Sequence, residues 1–124
     1  MPVSEAPIFA NQIEMHPLLP REQVREACRE HDVEVVAYSP LARGDVMDVP
    51  ELQSIAEKHG VTPAQVSLAW LREKGVTAIP KAASEPHIRD NWASLSVELD
   101  PADVKRIDAI ERRERMVDPS WAPW

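Results

Sequence analysis

Val33-Glu34-Val35-Val36-Ala37-Tyr38-Ser39-Pro40-Leu41 is the stretch on which the fold turns. Val33, Val35, Val36 and Ala37 make the run from Val33 to Tyr38 too apolar for a strand with one wet face. Burial on both faces is the habit of parallel strands, which crossover helices cover. The run ends on a polar residue and a proline, where a strand hands over to a loop. Two other stretches share this design. One is Phe9-Ala10-Asn11-Gln12-Ile13-Glu14-Met15-His16-Pro17, with a strand over Ile8 to Ile13. The other is Val76-Thr77-Ala78-Ile79-Pro80-Lys81, with a strand over Val76 to Pro80. In parallel α/β folds ligands gather at the carboxyl ends of strands, where loop backbone and helix N-termini converge.

The segments between the strands read as helices. From Arg21 to Asp32 the residues Val24, Ala27, Cys28 and His31 fall at i, i+3, i+4 and i+7, one stripe of an amphipathic helix. Asp48-Val49-Pro50-Glu51 predicts a capping box opening a helix whose Leu52, Ile55, Ala56 and His59 share a face, with Gly60 ending it in the left-handed conformation. Thr62-Pro63-Ala64-Gln65 repeats the device for a helix carrying Val66, Leu68, Ala69, Trp70 and Leu71 up to Gly75. Ser84 caps a short helix to about Ala93, and Asp100-Pro101-Ala102-Asp103 starts a last one with Val104, Ile107 and Ile110. The order β-α-β-αα-β-αα has crossovers long enough for right-handed parallel connections. Residues 1–124 therefore read as one α/β unit with three parallel strands.

Composition narrows the function. The 124 residues hold 21 acidic and 14 basic side chains, a net charge of -7, which argues against nucleic-acid or anionic-membrane binding. Only Lys58, Lys74, Lys81 and Lys105 are lysines, a composition that would also suit a high-salt cytoplasm. Cys28 is the single cysteine, so an intrachain disulfide and a Cys-rich zinc site are excluded. Neither a leader pattern at Met1 to Ala10 nor a long apolar run is present, and the expected compartment is cytoplasmic. The length falls short of the ~250 residues of a complete eight-fold βα barrel, so a chain with barrel-type units at this length reads as part of something larger.

At its three strand ends the sequence resembles the aldo-keto reductase family, which uses a (β/α)8 TIM barrel to bind NADP(H) and reduce carbonyl groups. Asn11-Gln12-Ile13-Glu14-x-His16-Pro17 is similar to that family's sixth-strand box, Ala37-Tyr38-Ser39-Pro40-Leu41 to its seventh, and Ile79-Pro80-Lys81 with Asp90-Asn91 to its eighth. The resemblance implies a partial barrel, its C-terminal sixth to eighth βα units. It implies that Gln12 hydrogen-bonds the nicotinamide carboxamide, that Tyr38 lies against the nicotinamide ring, and that Ser39 and the backbone N–H of Leu41 face the pyrophosphate. Lys81 would meet the adenosine 2′-phosphate, and Asp90 and Asn91 the adenine. Ala82 stands where the family commonly has Ser, and His87 where it commonly has Arg. Both departures weaken phosphate recognition, so NADP is the expected cofactor with NAD as the alternative.

The family's catalytic Asp, Tyr, Lys and His belong to the first half of the barrel, and Tyr38, the only tyrosine, matches the stacking position. The resemblance therefore implies a cofactor-binding half with no catalytic residue of its own, acting on a small carbonyl substrate once an upstream half completes it. The alternative is a non-catalytic half-barrel that binds a nucleotide or a partner chain, or a truncated remnant. With one sheet face and two strand edges open, the isolated chain is expected to self-associate.

Other residues have plainer readings. Glu14 and His16 invite a metal, but at i and i+2 with no third ligand nearby they make a poor site. His31 and His59 suit the negative ends of helices. Cys28 reads as a small buried hydrophobe, and His87 either as a contact for the nucleotide or as an exposed side chain. Trp121 and Trp124 either pack the tail against a helix or, as the resemblance implies, help close an apolar substrate pocket.

Overall fold

The computed structural model describes residues 5–117 and Ser120. Three strands, β1 (Ala10–Glu14), β2 (Glu34–Tyr38) and β3 (Thr77–Ala78), form one sheet in the order β1-β2-β3. Both pairings are parallel, with Gln12 opposite Val36, Glu14 opposite Tyr38, and Val36 opposite Thr77. The helices are α1 (Glu22–Glu30), α2 (Pro50–His59), α3 (Pro63–Glu73), α4 (Glu85–Ala93) and α5 (Pro101–Asp108), with short 3-10 pieces at Ala42–Asp48 and Ser94–Ser96. This is an α/β partial barrel, as expected.

Helix caps explain most boundaries. Thr62 and Asp100 each form a complete capping box, with Gln65 and Asp103 as the reciprocal partners. The Ser84 hydroxyl accepts from the backbone N–H of His87, and Gly60 closes α2 at φ 68°. The expected box at Asp48 does not form, and Val49 is the cap instead. Pro50 is the cause: the residue before a proline is driven out of the helical region, so Val49 must be extended (φ -85°, ψ 115°) and the helix begins one residue later than the motif suggests.

The core lies on one side of the sheet. Ile13, Met15, Val35 and Ala37 are buried with Cys28 of α1 and with Val66, Ala69, Trp70 and Leu71 of α3. Leu52, Ile55 and Ile107 extend it beneath α2 and α5. The α1 stripe is narrower than its spacing suggests, since Ala27 and His31 are exposed and only Val24 and Cys28 turn inward.

The expectation that both faces of β2 are buried is corrected: Glu34 is exposed, and Val36 and Tyr38 are half-buried. All the covering helices lie on the other face. In a closed βα barrel the face that carries Val36 is packed by side chains from the remaining strands. β3 is also shorter than expected, although the Ile79 N–H extends the ladder to the Ala37 carbonyl at 3.1 Å. Pro80 has no N–H to carry the pairing further.

Candidate functional site

The expected site residues stand at and beyond the carboxyl ends of the strands. Gln12 and Tyr38 project from the uncovered face, since paired residues share a face and alternate residues of a strand return to it. Together with Glu14, Arg21 and Arg115 they line a hollow of about 340 Å3. Gln12 is exposed and Tyr38 half-buried, so both the amide and the ring can be reached from solvent.

After Tyr38 the chain turns through an unusual loop. Ser39, Ala42 and Arg43 hold positive φ values of 48°, 49° and 52°, a region that side chains with a Cβ ordinarily avoid. Local bonds hold it, from the Ala42 N–H to the Ser39 carbonyl and from the Gly44 N–H to the Leu41 carbonyl, both 2.9 Å. A third anchor comes from outside: the buried Ser67 hydroxyl of α3 donates to the Pro40 carbonyl at 2.8 Å. Leu41 (φ -104°, ψ 12°) followed by left-handed Ala42 is the backbone type that turns successive N–H groups to one side.

Lys81 follows Pro80 in the irregular stretch before α4. It is exposed and forms no ion pair among the described residues. Asp90 and Asn91 are half-buried on α4, held by main-chain contacts rather than by their side chains. Gln65 Nε2 donates to the Asp90 carbonyl at 3.0 Å, and the Ser94 hydroxyl to the Asn91 carbonyl at 2.6 Å. Arg72 donates to the carbonyls of Ser94, at 2.9 Å, and of Val97, fixing the end of α4 against α3. Asn91 lines a second hollow of about 530 Å3 with Pro80, Ala82 and Trp92. The site residues thus form two clusters, Gln12 with Tyr38 and Asn91 with the Pro80–Ala82 stretch, and no described cavity contains both. His87 is exposed in the first turn of α4. Trp121 and Trp124 lie outside the described residues.

A buried polar couple sits at the carboxyl end of β1. Glu14 and His16 are fully buried, with His16 Nε2 2.8 Å from Glu14 Oε2. The Leu18 N–H donates to His16 Nδ1 at 3.2 Å, which leaves Nδ1 unprotonated and makes Nε2–H the donor to Glu14. The backbone N–H groups of Met116 and Val117 also donate to Glu14, at 2.8 and 2.7 Å. Burial alone would raise the Glu14 pKa, but these donors and His16 outweigh it and hold the carboxyl below its ordinary value. Burial lowers the His16 pKa against the upward pull of Glu14, Glu114 and Asp45.

Sequence reasoning read Glu14 and His16 as poor metal ligands and Gln65 only as a helix cap, and it saw neither Ser67 nor the reach of Gln65 to Asp90. Among the described residues no three His, Cys, Asp or Glu side chains converge as metal ligands would. The one legible signal for the couple was an acid and a histidine alternating on a strand otherwise destined for burial. His59, read as structural, sits 2.7 Å from Asp103 Oδ2, and Lys58 joins the same carboxylate at 2.9 Å, clamping α2 to α5.

A sequence model described as the aldo/keto reductase family matches residues 3–112. A glyoxal reductase of Bacillus subtilis is 38% identical over 108 residues, covering 87% of this chain and 39% of that protein. The aldose reductase of Giardia lamblia superposes with a TM-score of 0.89 at 27% identity, over 97% of this chain and 43% of that one. A mutant of the protein Gox0644 in complex with NADPH gives a TM-score of 0.84 at 30% identity, over 94% and 44%. The chain spans about two fifths of the length of the curated relatives it matches, 39% and 42% of the first two.

Proposed function

This chain belongs to the aldo/keto reductase family, and from that premise we propose that it is the C-terminal, cofactor-gripping part of an NADP-dependent carbonyl reductase, with residues 1–124 forming a single domain. The observation that carries the reading is the convergence of Gln12 and Tyr38 on one hollow at the β1 edge of the sheet, which Ile13 and Val24 of the covered side also line.

The residues present fit a nicotinamide dinucleotide. Gln12 offers both a donor and an acceptor to a carboxamide. The half-buried Tyr38 ring offers a flat face for stacking. The Leu41 N–H has no acceptor among the described residues, and with the Ser39 hydroxyl it suits a pyrophosphate. Lys81, unpaired, suits a 2′-phosphate, and Asp90 and Asn91 an adenine. The cofactor, when bound, supplies the hydride that reduces a carbonyl carbon. This chain's residues bind and orient it, fixing which face of the ring is presented.

The proton is a separate matter. Tyr38, the only tyrosine, belongs to the cofactor's side, and an alkoxide forming on the substrate would find no general acid among the residues assigned here. We therefore take the isolated chain to be inactive and the substrate pocket to be completed by an upstream half that carries the rest of the barrel. The glyoxal reductase among its relatives supports a small carbonyl compound as substrate. The described residues contain no helix long and apolar enough to cross a membrane. We propose a cytoplasmic protein, and its net charge of -7 supports a reading without nucleic-acid or anionic-membrane partners.

Calorimetry tests the cofactor reading. NADP is expected to bind more tightly than NAD by about 1 to 3 kcal/mol, the range of a charge-assisted hydrogen bond, and Lys81→Ala to erase the difference. Equal affinities in the unmodified protein would mean that Ala82 and His87 have already removed the preference. Absence of binding by both would overturn the cofactor reading. A second reading, a non-catalytic half-barrel that docks a partner chain, draws support from an apolar stripe running from α4 into the 3-10 turn after it, where Ile88, Trp92 and Leu95 are 54%, 75% and 56% exposed beside the open β3 edge.

A further inference from the structure

The Glu14 carboxylate makes contacts that its own strand does not require. It sits at the end of β1, and two of its three hydrogen bonds come from main-chain N–H groups more than a hundred positions away, in the stretch 116–117. The same stretch is tied a second time, by the Glu114 N–H to the Leu18 carbonyl at 3.0 Å. Between these ties lies Arg115, which lines the hollow that holds Gln12 and Tyr38. A segment bonded at both ends and in contact with the hollow between them is a wall of that hollow. We infer that Glu14 is a positioning residue: with His16 holding its carboxylate from behind, it anchors residues 114–117 as the wall that limits access to Tyr38 and shapes the nicotinamide end of the site.

A carboxylate is well suited to this. It accepts from three N–H donors at once and asks for none in return, whereas an amide in its place would turn an NH2 group toward one of them. His16 is fixed in the matching tautomer by Leu18, so the donor side of the couple cannot rearrange cheaply. The anchoring is a property of the chain itself. Its consequence for a cofactor rests on the function proposed above, and the two are separable by experiment.

Tyr38 is the only tyrosine, which makes its accessibility measurable without labelling. The test compares three proteins, the unmodified chain, Glu14→Gln, and Val117→Pro. The last removes one N–H donor from the tail and leaves the buried couple intact, so it remains informative should Glu14→Gln fold poorly. Acetylation of Tyr38 by N-acetylimidazole is followed at neutral pH, with amide exchange at Met116 and within α3. We expect both variants to speed Tyr38 modification and Met116 exchange by about tenfold while Leu68 to Leu71 keep their protection, the pattern of local release rather than global unfolding.

In the ligand arm, nicotinamide mononucleotide should bind the variants more weakly than the unmodified chain, and 2′,5′-ADP equally well. Unchanged Tyr38 reactivity in Val117→Pro would overturn the inference, as would a loss of protection in α3 equal to that at Met116. Failure of the unmodified chain to bind either nucleotide would defeat the proposed function, and Tyr38 reactivity would still decide the anchoring.

Discussion

Ser67→Ala removes one oxygen atom from the centre of α3 and should be felt in the loop after β2. The hydroxyl is fully buried and donates to the Pro40 carbonyl at 2.8 Å. Without it, that carbonyl is left in the interior with no other donor among the described residues, which costs about 1 to 3 kcal/mol. The loss falls on a loop that already holds Ser39, Ala42 and Arg43 in the left-handed region, each at a cost of about 1 to 2 kcal/mol. Relaxation of that strain returns part of the loss, so the net destabilisation should be about 1.5 kcal/mol. With a urea m-value of about 1.5 to 2 kcal/mol/M, the midpoint should fall by roughly 0.8 to 1 M. Ser54→Ala is the control, since Ser54 is exposed and its bond to Arg106 (3.0 Å) is a surface contact expected to change stability by less than about 0.5 kcal/mol. Because the loop carries Ser39 and Leu41, nucleotide affinity should fall with stability in Ser67→Ala and stay constant in the control. Equal midpoints for the two variants would refute the idea that α3 holds this loop in place.

Trp70 is buried at 1% exposure and donates Nε1–H to Asp108 Oδ1 at 2.9 Å. Trp70→Ala should cost about 3 to 5 kcal/mol and Trp70→Phe distinctly less, as read by chemical denaturation; equal losses would show that the hydrogen bond and not the packing dominates. The pH dependence has a definite sign. Glu14 and His16 both have folded pKa values below the ordinary 4.5 and 6.5, so the unfolded chain binds more protons and stability must rise with pH. Their contribution is present above pH 6.5 and is lost as the pH falls, first through His16 and then through Glu14; Glu114 and Asp45, the other acids acting on His16, soften the first step. Thermal melts from pH 8 to 4 should show the decline, and the portion that sets in below about 6.5 and precedes the Glu14 step should vanish in His16→Gln; an identical decline in that variant would sink the assignment. Sedimentation at micromolar concentration should show the isolated chain associating through its open sheet and the α4 stripe. Ile88→Ser with Trp92→Ser should shift it toward monomer, whereas a monodisperse unmodified monomer would contradict the reading of these surfaces as unpartnered.

What could be read from the chain follows the range of the interactions concerned. The caps at Thr62, Ser84 and Asp100 were legible because a cap is settled within four residues. The one that failed, Asp48, failed for an equally local reason, the conformation that Pro50 imposes on Val49. The positions of Gln12 and Tyr38 at strand ends and of Lys81 just after β3 were legible because each sits in a short box of distinctive neighbours. The groups that hold those boxes were not. Ser67 reaches Pro40 across 27 positions, Gln65 reaches Asp90 across 25, and Glu14 reaches Val117 across 103. A serine inside an apolar helix run or a glutamate in a strand gives no sign of its distant partner.

The burial of β2 was misjudged for a different reason, and the error is informative. Val36 and Ile79 are β-branched apolar residues on a face that no helix covers; Val36 is half-buried and Ile79 is 44% exposed. A sheet adapted to leave one face in water alternates apolar with polar residues along each strand, and β2 does not, having Val35, Val36 and Ala37 in succession. Its Val36 therefore answers to a packed interior and not to solvent. Gln12 and Tyr38 share that face, and Glu14 is buried on it with His16 and residues 116–117 bonded to its carboxylate. Where the chain covers this face itself, with the tail, the polar group beneath is fully hydrogen-bonded. Where it does not, the side chains are those of a barrel interior, and the upstream half proposed above would pack against Val36 and Ile79 as well as supply the proton.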